Sequence, residues 1–339
     1  MPDLVDRRPL AGVDYPRTLV EFDAFFRDEA ACRQFLERLR WPNGFVCPAC
    51  GNAGSSWRME RGLHLCSRCR RQVSVIAGTL FEKTRKPLRH WFLAAWEVTS
   101  AKYGASALGI QRVLGLRSYE TAWAWLHKLR RAMVRPGRDR LCGEVEVDET
   151  YVGGTEEGVH GRETHDKAIV AVGAEIRGKG IGRIRLGAVA DVTAPSLLPF
   201  VQQTVDPRAV VVTDGWNAYR GLPDLGYRHR IYNIKRSGKK AHELLPRVHR
   251  VASLLKRWLL GTHQGAISKE HLSYYLDEFT FRFNRRTSKA RGLLFYRLLD
   301  QAARTDHVET DSLFLATGRG RRRRPRAGPP RSTRDDHNR

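Results

Sequence analysis

Long apolar runs are missing from the chain: none approaches the roughly 18 residues a membrane-spanning helix needs. The N-terminal Met1-Pro-Asp-Leu-Val-Asp-Arg-Arg lacks the apolar stretch of a signal peptide. These absences predict a cytoplasmic protein with no membrane partner. A Walker phosphate loop, a dinucleotide-binding glycine fingerprint and an internal repeat are missing too. Cysteine is scarce, six in 339 residues, and in a reducing compartment six thiols are not a disulfide framework. Acid is also in short supply. Thirty-six Asp and Glu face 60 Lys and Arg, a net charge of +24 and a pI near 10.4. Such an excess points to a polyanion, most often nucleic acid. Residues Gly318–Arg339 hold nine Arg and two Asp, a net +7, which leaves +17 on the rest of the chain. The basicity therefore belongs to the folded body as well as to the tail.

The length suggests two or three domains. Between Leu19 and Leu39, Phe22, Phe25, Phe26, Cys32, Phe35, Leu36 and Leu39 recur at helical intervals, which predicts one or two amphipathic helices with Cys32 in the core. Cys47-Pro-Ala-Cys50 is followed, after fifteen residues, by Cys66-Ser-Arg-Cys69. Two such knuckles match a four-thiolate Zn²⁺ site. With every position filled by protein, that ion is structural and supplies folding energy to a ribbon too small for its own core. Arg58, Arg61, Arg68, Arg70 and Arg71 around it suit DNA contact.

From Leu80 to Met133 the period is helical. Leu88–Val98 reads as a buried helix. Ser106–Val113, Leu-Gly-Leu and Ser118–Arg131 then read as helix, turn, helix. Ser118 and Thr121 near the start of the second helix, with Lys128, Arg130 and Arg131 at its end, suit groove or phosphate contacts. A three-helix bundle with a basic surface is the other reading. Trp123 and Trp125 are expected in the core.

From Gly143 the texture turns to strand. In Glu144-Val-Glu-Val-Asp148, period two puts Val145 and Val147 on one face and Glu144, Glu146 and Asp148 on the other. Three carboxylates on one face repel unless something cationic neutralises them; a divalent metal and a solvated edge strand are the two readings. Residues 167–176 and 182–191 follow as strands, 194–204 as a helix, and Ala209-Val-Val-Val-Thr-Asp214 as a buried strand with an acid at its mouth. Residues 227–234 complete the strands; 241–260 and 268–284 read as long helices. The order β-β-β-α-β-α-β-α predicts an RNase H-like mixed sheet, whose adjacent first and fourth strands carry acids that converge on metal.

With these pieces assembled, the chain resembles bacterial insertion-sequence transposases that join an amino-terminal zinc ribbon and helical DNA-binding region to an RNase H-like DDE core. The resemblance spans residues 20 to 300. It rests on the cysteine knuckles, Val147-Asp-Glu-Thr-Tyr-Val-Gly-Gly154, Thr213-Asp-Gly-Trp-Asn-Ala-Tyr219, Ser253-Leu-Leu-Lys-Arg257 and Tyr275–Arg286. It implies Asp148 and Asp214 as the first two catalytic acids, holding Mg²⁺ or Mn²⁺. The third member should precede the Ser-Leu-Leu-Lys stretch by four residues, which is His249, with Lys256 seven beyond it as a phosphate contact. Positions seven apart on a helix differ by about 20°, so His249, Ser253 and Lys256 share a stripe beside the apolar Leu244, Val248, Val251, Leu255 and Trp258.

Histidine departs from a plain Asp-Asp-Glu triad. It favours Mn²⁺ over Mg²⁺, or acts as a base or water-orienting group. Glu243 and Glu278 are the substitutes for the third position, and Glu146 is a candidate supporting group. Arg282, Arg285, Arg286 and, beyond them, Arg291 are expected on DNA backbone. The expected domains are helices at 1–42, a zinc ribbon at 43–78, a helix-turn-helix-like region at 79–137, the transposase domain at 140–303 and a disordered basic tail at 304–339. The resemblance implies metal-dependent cutting and joining of element-end and target DNA by a homo-oligomer. The alternative is a transposase-derived DNA-binding protein that has lost catalysis because His249 replaces a carboxylate.

Overall fold

A computed structural model describes residues 8–59, 62–135, 137–154, 164, 166–232, 234–265 and 267–315; the tail from Gly318 lies outside the described residues. The first helices, α1 (Leu19–Phe25) and α2 (Glu29–Arg40), are started by Thr18 and Asp28, whose side chains accept the N–H groups of Glu21 and Ala31. Three short antiparallel strands follow in the order β1 (Ser56–Arg58), β2 (Leu63–Cys66), β3 (Gln72–Ser74). Next come α3 (Leu88–Ser100), α4 (Ala107–Val113) and α5 (Tyr119–Ala132). The turn between α4 and α5 passes through Gly115 at φ +59°, a left-handed conformation that glycine adopts without strain.

The second unit is a five-stranded sheet. It comprises β4 (Glu144–Val152), β5 (Ala168–Arg177), β6 (Gly180–Val189), β7 (Val210–Thr213) and β8 (Arg228–Ile231), with α6 (Ala194–Thr204) between β6 and β7. The order is β6-β5-β4-β7-β8; β4–β5 and β5–β6 are antiparallel, β4–β7 and β7–β8 parallel. The mixed sheet and the adjacency of its first and fourth strands follow the expected pattern. Between β7 and β8, however, the expected helix is one 3₁₀ turn, Asn217–Tyr219, in a connection broken by Gly215, Gly221, Pro223 and Gly226.

The expected helix over 241–260 is interrupted as well. After α7 (Ile234–Ser237) and α8 (Ala241–Leu244), Pro246 occupies the first turn of a new helix, α9 (Pro246–His263), because proline has no N–H to continue the one before it. The chain closes with α10 (Leu272–Phe283), α11 (Arg291–Ala302) and α12 (Thr310–Leu315). One face of the sheet packs on α6 through Val145, Val147, Leu197 and Phe200. The other packs on α9 and α10 through Val172, Val248, Leu255 and Phe279.

Two boundaries differ from expectation. Helix α11 joins the core of the amino-terminal helices, with Phe295 and Leu298 against Phe22, Phe35 and Phe92. The stretch after 304 is not all tail. Helix α12 lies against α5, with Leu313 buried and Phe314 stacked on Trp123. Trp125 is buried in the core as expected, stacked 3.9 Å from Trp91.

Candidate active site

Alternation along β4 sends Val145 and Val147 into the α6 core and Glu146 and Asp148 toward α9. In the parallel pairing of β4 with β7, Val145 lies opposite Val211 and Glu146 opposite Val212. Asp148 lies two residues beyond Glu146 and Asp214 two residues beyond Val212, at the same end of the paired strands, and both carboxylates act on the Tyr219 hydroxyl. The chain turns there through Gly215 at φ +84°, where a Cβ would meet Ile231 Cγ2 at 2.8 Å. Asp214 Oδ1 accepts the Trp216 N–H at 2.9 Å, which orients its carboxylate.

His249 stands in the first turn of α9, its Nε2 3.5 Å from Asp148 Oδ2. That nitrogen is shut off from solvent and has no hydrogen-bond partner. Burial, with His242 adding, pushes the imidazole below its ordinary value, which favours the neutral ring. A neutral imidazole facing a carboxylate across this gap suits a shared cation, which the donor set of two aspartates and a histidine would hold. Among the described residues, the four cysteines are the one group that already brings three or more ligand atoms together, so the Asp148–Asp214–His249 face is less tightly drawn in.

The other carboxylates on this face of β4 are neutralised by arginine, not metal. Glu144 pairs with Arg230 at 2.9 Å. Glu146 is 1% exposed. Its carboxylate accepts the backbone N–H of Arg247 (2.7 Å) and Val248 (3.0 Å) and the Arg247 guanidinium (2.9 Å). Helix α9 has no side-chain cap of its own, so this strand acid closes its N-terminus. Arg247 also donates to the carbonyls of Gly178 and Gly180 at the β5–β6 turn. Of the three acids, Asp148 is the one that faces His249. Glu149 faces the other way, and its carboxylate accepts the Tyr219 hydroxyl at 3.2 Å.

The substitutes for the third position are committed elsewhere. Glu243 accepts the Lys240 N–H at 2.8 Å as a helix cap. Glu278 is buried in an ion pair with Arg130 at 2.8 Å. Along α9, Val248, Val251, Leu255 and Trp258 are buried, while Ser253 and Lys256 are exposed on the His249 side. Lys256 lines a cleft of about 600 Å³ with Tyr151, Gly153, Lys167 and Lys269; although its side chain reaches solvent, partial desolvation by the cleft wall and the neighbouring Lys167 push its ammonium below the usual range.

Several of the arginines expected on DNA are engaged with the protein itself. Arg130 is 1% exposed, held by Glu278 and lying 4.0 Å from the Tyr275 ring centre; Lys128 is also buried. Arg282 donates to the carbonyls of Val98, Ala101 and Lys102, closing the C-terminal end of α3. Arg285 stacks on Phe281 and donates to its carbonyl. Arg286 stacks on Phe283 and donates to Ile181 and Gly182 in β6. In each case a long side chain covers apolar surface while its head finds backbone oxygen. Ser118 is the N-cap of α5. Arg131 is exposed at the end of that helix.

Away from the acids, Cys47, Cys50, Cys66 and Cys69 bring their sulfurs within 4.8 Å of one another, with Cys47···Cys69 and Cys50···Cys66 both at 3.7 Å. A tetrahedron with Zn–S bonds of about 2.3 Å has S···S edges of roughly 3.8 Å, so the set fits Zn²⁺. The N–H groups of Cys69 and Arg68 help hold the Cys66 thiol down at about 6, toward the thiolate a metal needs. Around the ribbon, Arg58 pairs with Glu37 and Arg70 lies over Trp57.

Residues 140–284 match the ISXO2-like transposase domain, and residues 27–72 match the transposase zinc-ribbon domain. A protein of Halobacterium salinarum, described as an uncharacterized protein in transposable element ISH50, is 29% identical over 281 residues. That alignment covers 76% of this chain and 91% of the relative. No solved structure matches the chain.

Proposed function

Because the chain belongs to the insertion-sequence transposases that carry an amino-terminal zinc ribbon and an ISXO2-like transposase domain, we propose that it cuts and joins DNA at the ends of its element, in the cytoplasm and as a homo-oligomer that pairs two ends. The observation that supports this reading is the parallel pairing of β4 with β7, which places Asp148 and Asp214 at the same end of neighbouring strands, with His249 of α9 facing the first of them at 3.5 Å.

Mg²⁺ or Mn²⁺ held there by Asp148, Asp214 and His249 would supply the Lewis acidity for in-line displacement at phosphorus. The chain's own groups do the rest. Trp216 fixes the Asp214 carboxylate through its backbone N–H, and Glu146 fixes the helix that carries His249. Lys256, two turns further along that helix, reaches the DNA phosphates. Hydrolysis leaves a 3′-hydroxyl at the element end, and that hydroxyl then attacks target DNA; no covalent protein intermediate is needed. Four thiolates on Zn²⁺ hold the ribbon, and Arg131 on α5 faces DNA backbone.

The test is nicking of a supercoiled plasmid, and strand transfer of an element-end duplex, with each metal. Activity that disappears in Asp148→Ala and in Asp214→Ala supports the enzyme. DNA binding without cleavage under either metal would support the catalytically inactive alternative.

A further inference from the structure

A second basic site lies where the helical unit meets the edge strand of the sheet. The segment after α5, strand β6 and helices α10 and α11 enclose a cleft of about 480 Å³, lined by six arginines and three aspartates. The aspartates do not balance it. Asp300 is taken by Arg304 at 2.9 Å. Asp139 is shared between Arg135 and Arg183 at 3.6 and 3.7 Å. Asp277 is pushed up to about 6 by burial against the pull of Arg138 and Arg131, so near neutral pH it adds one negative charge, and three aspartates still face six arginines.

The arginines crowd one another. Arg185 is 6% exposed and donates to the carbonyls of Ile184 and Asp139. Burial holds it down at about 10, with Arg138 and Arg183 adding; burial does the same to Arg285, with Arg297 and Arg135 adding. Arg138 and Arg297 make no hydrogen bond or ion pair among the described residues. An uncompensated cluster of this kind is stabilised by an anion, and planar guanidinium groups select phosphate oxygens, which they bind in pairs. The cleft's lining begins at Met133, two residues after Arg131, the exposed cation at the end of α5, so that cation lies beside it in the chain.

We propose that this cleft clamps a DNA backbone phosphate at the junction of the helical unit and the sheet, apart from the acid face. The assignment rests on the transposase reading for the nature of the polyanion. Arg138 and Arg297 are the cations to remove, because neither is tied up in a hydrogen bond or ion pair among the described residues. In the full chain, anisotropy titrations of a duplex oligonucleotide over a series of salt concentrations give the slope of log K against log [salt]. Each phosphate contact contributes roughly 0.9 to that slope. The Arg138→Ala/Arg297→Ala variant is expected to lose roughly 0.9 from it, one phosphate contact, and to bind at least tenfold more weakly at fixed salt. Arg138→Lys/Arg297→Lys should recover the slope but only part of the affinity.

An unaltered slope in the alanine variant overturns the clamp. If nicking that depends on Asp148 persists alongside that result, the catalytic reading stands without it. A wild-type chain that binds no duplex would overturn both.

Discussion

The carboxylate of Asp148 and the imidazole of His249 face each other across 3.5 Å, although 101 residues separate them in the chain. If they hold one cation, the identity of residue 249 sets which metal works best. His249→Ala should lower the nicking rate a hundredfold or more. His249→Glu should keep cleavage and move the preference from Mn²⁺ toward Mg²⁺, because carboxylate is the harder ligand. Initial nicking rates over both metals measure this. A His249→Ala variant as active as wild type would remove histidine from the site.

Glu146 acts on that geometry from behind. Its carboxylate closes the N-terminus of α9, a role usually filled by a residue of the helix itself. Glu146→Ala removes two backbone acceptors and the partner of Arg247, and urea unfolding should show a loss of about 2–4 kcal/mol. Glu146→Gln, whose amide oxygen still accepts, should lose less than half of that. Equal losses in both variants would mean that charge alone, and not capping, sets the contribution.

The Arg130–Glu278 pair ties α5 to α10 with both side chains at most 2% exposed. Removing one partner strands a buried charge, so Glu278→Ala should cost about 3–5 kcal/mol, measured by chemical denaturation. Arg130→Met with Glu278→Leu should recover most of this and still nick DNA at the wild-type rate per folded molecule. Loss of nicking in that folded double variant would return Glu278 to the catalytic candidates.

Acid should weaken the fold through histidines buried without charge. His127 is fully buried, and burial with Arg130 beside it pulls its imidazole far below the ordinary value. His263 is pulled down to about 3 by burial, Arg130 and Arg282. A depressed folded-state value means that the stability is complete above the unfolded value, about 6.5, and is lost as pH falls below it. At pH 5 each histidine should have removed about 2 kcal/mol. The drop in urea stability between pH 7.5 and 5 should therefore be smaller in His263→Phe. An undiminished drop would assign the acid sensitivity to other groups.

Much of the candidate site could be read from local pattern. Alternation put Asp148 on the face opposite Val145 and Val147, and the apolar run before Asp214 marked a central strand. Seven-residue spacing put His249 and Lys256 on one stripe. What local pattern could not supply was the origin of the counter-charges. Arg230 and Arg247 come from distant segments, so Glu144 and Glu146 read as metal-site acids until the fold brought the guanidiniums to them. Arg130 was misread although a signal was present. It follows Leu126 by four residues on α5, and so lies along the stripe that turns inward. Pro246 likewise marked the start of α9.

The return of α11 to the amino-terminal helices has a consequence for the order of synthesis. Phe295, Leu298 and Leu299 complete the core around Phe22 and Phe92, and Gly292 sits so close to the Pro16 carbonyl that no side chain fits between them. A nascent chain that has not yet passed residue 302 lacks the piece that seals its own amino-terminal helices. The helical unit is therefore completed only after the strands of the sheet and α9 have been made, and a chain terminated before residue 292 would leave the faces of Phe22 and Phe92 uncovered.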